Sequence, residues 1–193
     1  MIYVLNAPPN AGKDTIADIL VDKHGAIKAS FKHALYKCTS YEFKMDLDKL
    51  IKLSTDRDTK EVYCNELGMS PREALIYTSE QVIKPKHGAD YFGNQAAKSI
   101  LANNIASELI VFSDGGFESE IAPLTKIATT TIVRLYGRGN FINDSRDYIV
   151  HPMFRYMDIE LVDDMPDLAA MQIMKDVERS REYVSTGRIQ QRR

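Results

Sequence analysis

The stretch "NAPPNAGKDT" at positions 6–15 concentrates the side chains of this chain that could do chemistry. It follows an apolar run, Ile2 to Leu5, and leads into a helix-like pattern that begins at Lys13. A short loop between a first strand and a helix gathers several backbone N–H groups around one point, and the helix dipole adds positive potential there. Polyphosphate can bind at such a place. Gly12 permits the unusual backbone geometry, Lys13 can reach terminal phosphates, and Thr15 can hydrogen-bond a phosphate from the first helical turn. Asp14 would repel a phosphate, but its carboxylate can hold Mg²⁺ directly or through water. The stretch departs twice from the general pattern G-x-x-x-x-G-K-S/T, with Ala7 at the first Gly and Asp14 at the Ser or Thr. The plainer alternative is an ordinary turn and helix start, with Asp14 favoured by the dipole. Its position after the first strand of an alternating pattern favours the phosphate reading, with Asn10, Ala11, Gly12, Lys13, Asp14 and Thr15 as the nucleotide-contacting set.

The elements that must position these groups read as alternating strands and helices. Ile16, Ala17, Ile19 and Leu20 fall at helical spacing across 13–24, and Gly25 supplies a stop. "AIKAS" at 26–30 predicts a short strand, 32–41 and 46–55 predict helices, and "STDRDTKE" predicts a loop. "SPREALIYTSEQVIKP" is the best-marked helix: Ser70 is the N-cap, Pro71 fits the first turn and Glu73 completes a capping box. Leu75, Ile76, Ser79, Val82 and Ile83 are expected on one face, with Pro85 ending the helix. "ADYFGNQAAKSILANN" predicts another helix, with Ala96, Ala97, Ile100 and Leu101 facing inward. "ELIVFSD" at 108–114, "IVRLYGR" at 132–138 and "DIELVDD" at 158–164 predict three further strands, with helices near 117–128 and 167–179. Apolar strands alternating with helices predict an α/β fold whose mostly parallel five-stranded sheet is covered on both faces. The tail "STGRIQQRR" has no apolar period and is expected to be mobile.

Bulk properties narrow the setting. A length of 193 residues is most simply one domain, and 44% apolar with 27% charged residues is ordinary for a globular chain. The net charge of −2 provides no general field for nucleic acid or an acidic membrane, so any anion site must be local. No apolar run reaches membrane length and the N-terminus has no signal pattern. Cys38 and Cys64 are expected as free thiols in a reducing cytosol, and His24, His33, His87 and His151 are scattered without zinc spacing.

G-K-D-T-x-A-D after a first strand resembles the phage-type deoxynucleoside monophosphate kinases, a branch of the P-loop nucleotide kinases in which an Asp regularly follows the Lys. "ASFKHALY" resembles the segment after that family's second strand, and "SPREALIYTSEQVIKPKHGADYFG" its helix and turn built on P-R-E. "VFSDGGFESE" is similar to the third strand and its acidic end, D-x-R-F-x-x-E, through Asp114, Phe117 and Glu120, with Gly116 in place of the Arg. "RLYGRGNFINDSRDY" resembles the arginine-bearing lid. The likeness covers most of residues 1–179 in patches. It implies a three-layer α/β/α P-loop kinase of one domain, with a helical acceptor region at about 31–104, a lid at about 137–150 and a mobile tail at about 184–193. It also implies ATP as phosphoryl donor, Mg²⁺, and a deoxynucleoside monophosphate as acceptor. The implied partners are small-molecule nucleotides, with a homodimer left open and neither nucleic acid nor membrane expected. The implied compartment is cytoplasm, bacterial if the gene is a phage's.

Phosphoryl transfer is mainly positioning and charge neutralisation. Lys13 is the leading catalytic candidate, on the donor's terminal phosphates. Asp114, just past a buried strand, can orient Mg²⁺ or the acceptor, or simply cap a helix. Arg138 and Arg146 can close on the donor phosphates as lid residues, or be plain surface arginines. Arg72 can pair with the acceptor phosphate through its forked donors, and Glu80, about two turns on, can hold a base or ribose group. Tyr77 and Lys84 join them as substrate-side candidates, ahead of Asp90, Tyr91 and Phe92, with exposed helix positions as the alternative. Asp14 is the metal-side candidate. Two other functions remain open: a P-loop kinase for another small acceptor, such as dephospho-coenzyme A or phosphomevalonate, and a nucleotide-binding module without transferase activity.

Overall fold

The computed structural model describes residues 1–142 and 146–190, the side chains of 184–190 excepted. In chain order the elements are β1 (Ile2–Asn6), α1 (Lys13–His24), β2 (Ile27–Ala29), α2 (Lys32–Glu42), α3 (Leu47–Thr55) and α4 (Pro71–Tyr77). A π-helical turn (Thr78–Ile83) follows, then α5 (Lys84–His87), α6 (Tyr91–Ala102), β3 (Ile110–Phe112), α7 (Glu118–Thr125), β4 (Thr130–Tyr136), β5 (Arg155–Glu160) and α8 (Pro166–Gln190). The chain divides into two compact units. One holds Met1–Ala29, Ala106–Gly116 and Ala128–Arg193, and the other Ser30–Ile105 and Phe117–Ile127.

The first unit is built on a five-stranded sheet in the order β2-β3-β1-β4-β5, with every pairing parallel. All five residues of β1 are buried, as a central parallel strand requires. Tyr3, Leu5, Val111, Val133, Leu135 and Ile159 form one core with Ile16, Ala17 and Leu20 of α1 and Ala169, Ala170, Ile173 and Val177 of α8. The alternate positions Ile2, Val4, Ile110, Phe112 and Ile132 are buried too. Both sheet faces are thus covered, as expected for the three-layer α/β/α class.

Several boundaries follow from local chemistry. Gly25 ends α1 with a φ of 67°, its N–H returning to Val21 and Leu20 carbonyls. In the second unit Ser70 and Glu73 form the expected reciprocal capping box, and Pro71 opens α4. Met45, Leu50, Leu67 and Ala74 make that unit's small core, with Phe43, Leu53, Cys64 and Met69 against it.

The structure differs from several expectations. Pro85 does not stop the helix: the π-helical turn passes into α5 through Pro85, and Gly88 ends it at a φ of 93°. Pro85 brings no backbone N–H, so the helix continues past it with one fewer backbone hydrogen bond. The buried stripe of this helix runs through Pro71, Ala74, Thr78 and Ser79, a regular helical spacing that puts Ile76 on the exposed side. In α6 the buried face is Phe92, Gly93, Ala97 and Ile100, and Leu101 is exposed. Strand β5 also begins at Arg155, earlier than the apolar run suggests. The tail expected to be mobile is helical to Gln190, and residues 191–193 lie outside those described. Among the described residues no helix is long and apolar enough to cross a membrane, and both cysteines are free thiols.

Gly93 shows how closely α6 meets α7. A Cβ there would lie 2.2 Å from the Glu120 carbonyl oxygen, a backbone atom that cannot swing aside. Gly93→Ala is therefore expected to cost about 1–3 kcal/mol through overpacking, read as a lowered urea midpoint.

Candidate active site

The phosphate-loop stretch occupies residues 7–12, between the end of β1 and the start of α1. The loop takes the left-handed backbone at two places, Asn10 with φ 62° and Gly12 with φ 92°. Ala11 N–H donates to the Pro8 carbonyl at 3.4 Å, which closes the turn. Gly12 is the N-cap of α1 and brings no side chain to accept from the first-turn N–H groups. An α-helix leaves its first four N–H groups without intrahelical partners, and this start directly follows the loop. No atom comes within 4 Å of where a Gly12 Cβ would sit, so its conformation, and not crowding, calls for glycine. Ala7 is not among the residues of positive φ and lies 3% exposed in the core. The turn needs no glycine there. The first departure from the general pattern thus has a structural account.

Lys13 reaches back across the loop, its Nζ donating to the carbonyl oxygens of Ala7 at 2.7 Å and Pro8 at 2.6 Å. Asp14 accepts from the Ser113 hydroxyl at 2.7 Å, linking the start of α1 to the chain just past β3. Lys28 lies 3.1 Å from Asp14 and 2.8 Å from Asp18. Burial alone would lower the Lys28 pKa, but its hydrogen bonds to Asp18 and Asp14 outweigh that and raise it. Neither Ser113 nor Lys28 was singled out from the sequence. For Ser113 the available signal was its position just past a strand's end, where ligands meet open α/β sheets; Lys28, in the middle of β2, offered none. Asp114 follows Ser113 with one carboxylate oxygen buried. Thr15 is exposed on the first turn of α1.

The two lid-stretch arginines are placed differently. Arg138 turns to Asp163 at 3.4 Å and is exposed. Beside it, a Cβ on Gly139 would lie 2.8 Å from the Pro9 carbonyl oxygen, so this turn rests on the phosphate loop. Arg146 lies across Gly116, where an added Cβ would come 2.4 Å from its Cδ. Asn6, which sequence reasoning missed, is fully buried at the end of β1. It donates to the Asp147 carbonyl at 3.3 Å and accepts from Ile149 N–H at 2.9 Å. A polar residue inside an otherwise apolar strand was the signal.

In the second unit Glu80 and Lys84 come together at 2.5 Å, and Glu80 also accepts from Ser79 at 3.0 Å. The Lys84 ammonium stands 4.8 Å over the Phe117 ring. Arg72 instead pairs with Glu61 at 2.8 Å, with both side chains about half exposed. Tyr77 meets Phe43 edge-on at 6.1 Å and lines an open groove of about 510 Å³ with Tyr63, Gly68, Met69, Glu73 and Ile76.

No family model matches the chain, and no curated protein matches it in sequence. Solved structures do. A sugar kinase from a Janibacter species shares 11% identity over 92% of this chain and 94% of its own, at a TM-score of 0.51. This chain shares the fold of that kinase. A candidate kinase from Chloroflexus aurantiacus covers 92% of this chain and 96% of its own at 14% identity and a TM-score of 0.49. A shikimate kinase from Bacteroides thetaiotaomicron covers 96% and 82% at 9% identity and a TM-score of 0.34. The last two superpose too loosely to add to the first.

The loop's backbone yields a paired expectation. Gly12→Ala forces a side chain into the left-handed region and should cost about 1–2 kcal/mol, with weakened nucleotide binding. Ala7→Gly restores the general pattern yet should bring no gain in nucleotide affinity, and the added chain entropy should cost about 0.5–1 kcal/mol. Chemical denaturation and titration with a fluorescent ATP analogue check both.

Proposed function

We propose that this protein transfers the γ-phosphoryl group of ATP to a deoxynucleoside monophosphate, giving the diphosphate. The observation that carries the phosphotransferase part is the loop at 7–12, with left-handed backbone at Asn10 and Gly12 and the Lys13 ammonium drawn across it by two carbonyls. The β- and γ-phosphates of ATP would take the first-turn N–H groups and Lys13. The acceptor part rests on the resemblance around Asp14 and the P-R-E helix. Support comes from the second unit, where Glu80, Lys84 and Phe117 bring an acceptor, a cation and an aromatic face together. Arg72, exposed and only pair-bonded to Glu61, is proposed to turn to the acceptor phosphate, with Tyr77 on the same side.

The residues present suit Mg²⁺. Asp14, the Ser113 hydroxyl bonded to it and the neighbouring Thr15 hydroxyl make an all-oxygen donor set. Magnesium takes one or two carboxylates together with substrate phosphates, so a full protein cage is not needed. Asp14 would hold the ion, which would neutralise charge on the transferring phosphates. Arg146 and Arg138 are proposed to stabilise charge around the moving phosphoryl group, and Asp114 to orient the acceptor or the metal's water. The cytoplasm is the proposed compartment.

A coupled ADP-release assay over nucleoside monophosphates, dephospho-coenzyme A, phosphomevalonate, simple sugars and shikimate tests the acceptor. Turnover with a deoxynucleoside monophosphate is expected, and turnover with a non-nucleotide alone sinks that assignment. Lys13→Ala should lower kcat by roughly 100- to 1000-fold, the scale of losing one transition-state donor. Wild-type protein that binds ATP without phosphorylating any acceptor would instead make it a binding module.

A further inference from the structure

Arg146 is the candidate cation whose chain position gives the least reason to expect order, since it lies on a long connection between β4 and β5. Its surroundings tell otherwise. On its C-terminal side the backbone is clamped by one buried side chain: Asn6 bonds both the Asp147 carbonyl and the Ile149 N–H. An amide satisfied on both its donor and acceptor sides by one segment's backbone fixes that segment's direction as a ladder would. Tyr148 adds a second anchor, its hydroxyl donating to the Leu135 carbonyl at 2.6 Å and its ring lying 4.4 Å from that of Tyr136.

The side chain has its own seat. A Cβ on Gly116 would approach Arg146 Cδ to 2.4 Å, Cγ to 3.1 Å and Nε to 3.6 Å, so the aliphatic stem lies flat on this glycine's α-carbon. Gly116 has no positive φ, so backbone conformation is not why glycine stands there. The seat follows Ser113 and Asp114 on the same strand end, and Ser113 is bonded to Asp14 of the phosphate loop's helix. The clamp residue, Asn6, is the last residue before the loop itself.

We propose that Asn6 and Gly116 are positioning residues that hold Arg146 beside the phosphate loop before nucleotide arrives, Asn6 by fixing its backbone and Gly116 by leaving room for its stem. The proposal rests on the phosphotransferase reading above. It makes Arg146 a prebuilt part of the site and assigns Gly116 a function that depends on having no side chain.

A double-mutant cycle tests it. Gly116→Ala forces the Arg146 stem back by about 1 Å to ordinary contact, which a flexible side chain does without unfolding its surroundings. Misplacement by about 1 Å can cost roughly 100-fold, so a kcat loss of about 10- to 100-fold is expected, with the melting temperature little changed. In an Arg146→Ala background the same substitution should cost less than about twofold, because coupled sites are not additive. Asn6→Ala should show the same coupling, and where it lowers the folded fraction Gly116→Ala decides alone. Equal losses from Gly116→Ala in both backgrounds, or no loss in either, overturn the proposal. ATP affinity is measured on every variant by calorimetry. Wild type that binds ATP yet turns over no acceptor overturns the kinase reading by itself, and the cycle is then read in ATP affinity, where additive losses overturn the positioning role.

Discussion

The structure hangs on how β1 ends. This strand is buried on both faces and paired in parallel with β3 on one side and β4 on the other, so its last residue cannot shift. The chain must then become the helix α1 after residues 7–12. A helix start leaves N–H groups with no internal partner, and a short loop must point them somewhere. Two left-handed residues, Asn10 and Gly12, make the reversal, and the Lys13 ammonium stitches it to the Ala7 and Pro8 carbonyls. The loop is thus anchored at both ends, by β1 and by α1.

Within each unit, candidate cations are held by neighbouring carboxylates. Lys28 is shared between Asp14 and Asp18, Arg138 leans on Asp163, Arg72 on Glu61 and Lys84 on Glu80. Exposed pairs of this kind contribute on the order of 0–1 kcal/mol, so they orient side chains without binding them firmly. A phosphate carrying two charges can outcompete one carboxylate for a guanidinium or ammonium. With a net charge of −2 the chain has no general positive field, so any anion site must rest on local groups such as these.

What the sequence made legible was whatever depends on near neighbours. The limits of α1, the Gly25 stop, the Ser70–Glu73 capping box and the apolar parallel strands all rest on contacts within a few residues or on a simple period. The loop was legible for the same reason, and Ala7 proved compatible with it once the φ values located the strain at Asn10 and Gly12. The parts that could not be read join distant segments. Ser113 meets Asp14 across 99 positions, and Asn6 meets Ile149 across 143. No local spacing encodes such meetings. Gly116 illustrates the difficulty: as a letter it is a missing arginine, whereas in space it is the floor under another one.

The helix that begins at Pro71 adds a further reason. The pattern from Ser70 to Pro85 is helical throughout, yet the chain spends Thr78–Ile83 in a π-helical turn. The wider turn rotates the residues after it relative to a regular helix, while Ile76, before it, is exposed because the buried face of α4 runs through Pro71, Ala74 and Thr78. Such turns are stable only where something compensates for the poorer backbone geometry, and they recur at functional positions. Here Glu80 lies on the turn and Lys84 just beyond it, bonded to each other, with Lys84 over Phe117. A regular helix would aim Glu80 and Lys84 differently relative to Arg72. The defect that spoils the periodic reading therefore also sets how Glu80 and Lys84 are presented relative to Arg72. Its energetic penalty is more readily understood as the cost of presenting Glu80 and Lys84 than as an accident of packing.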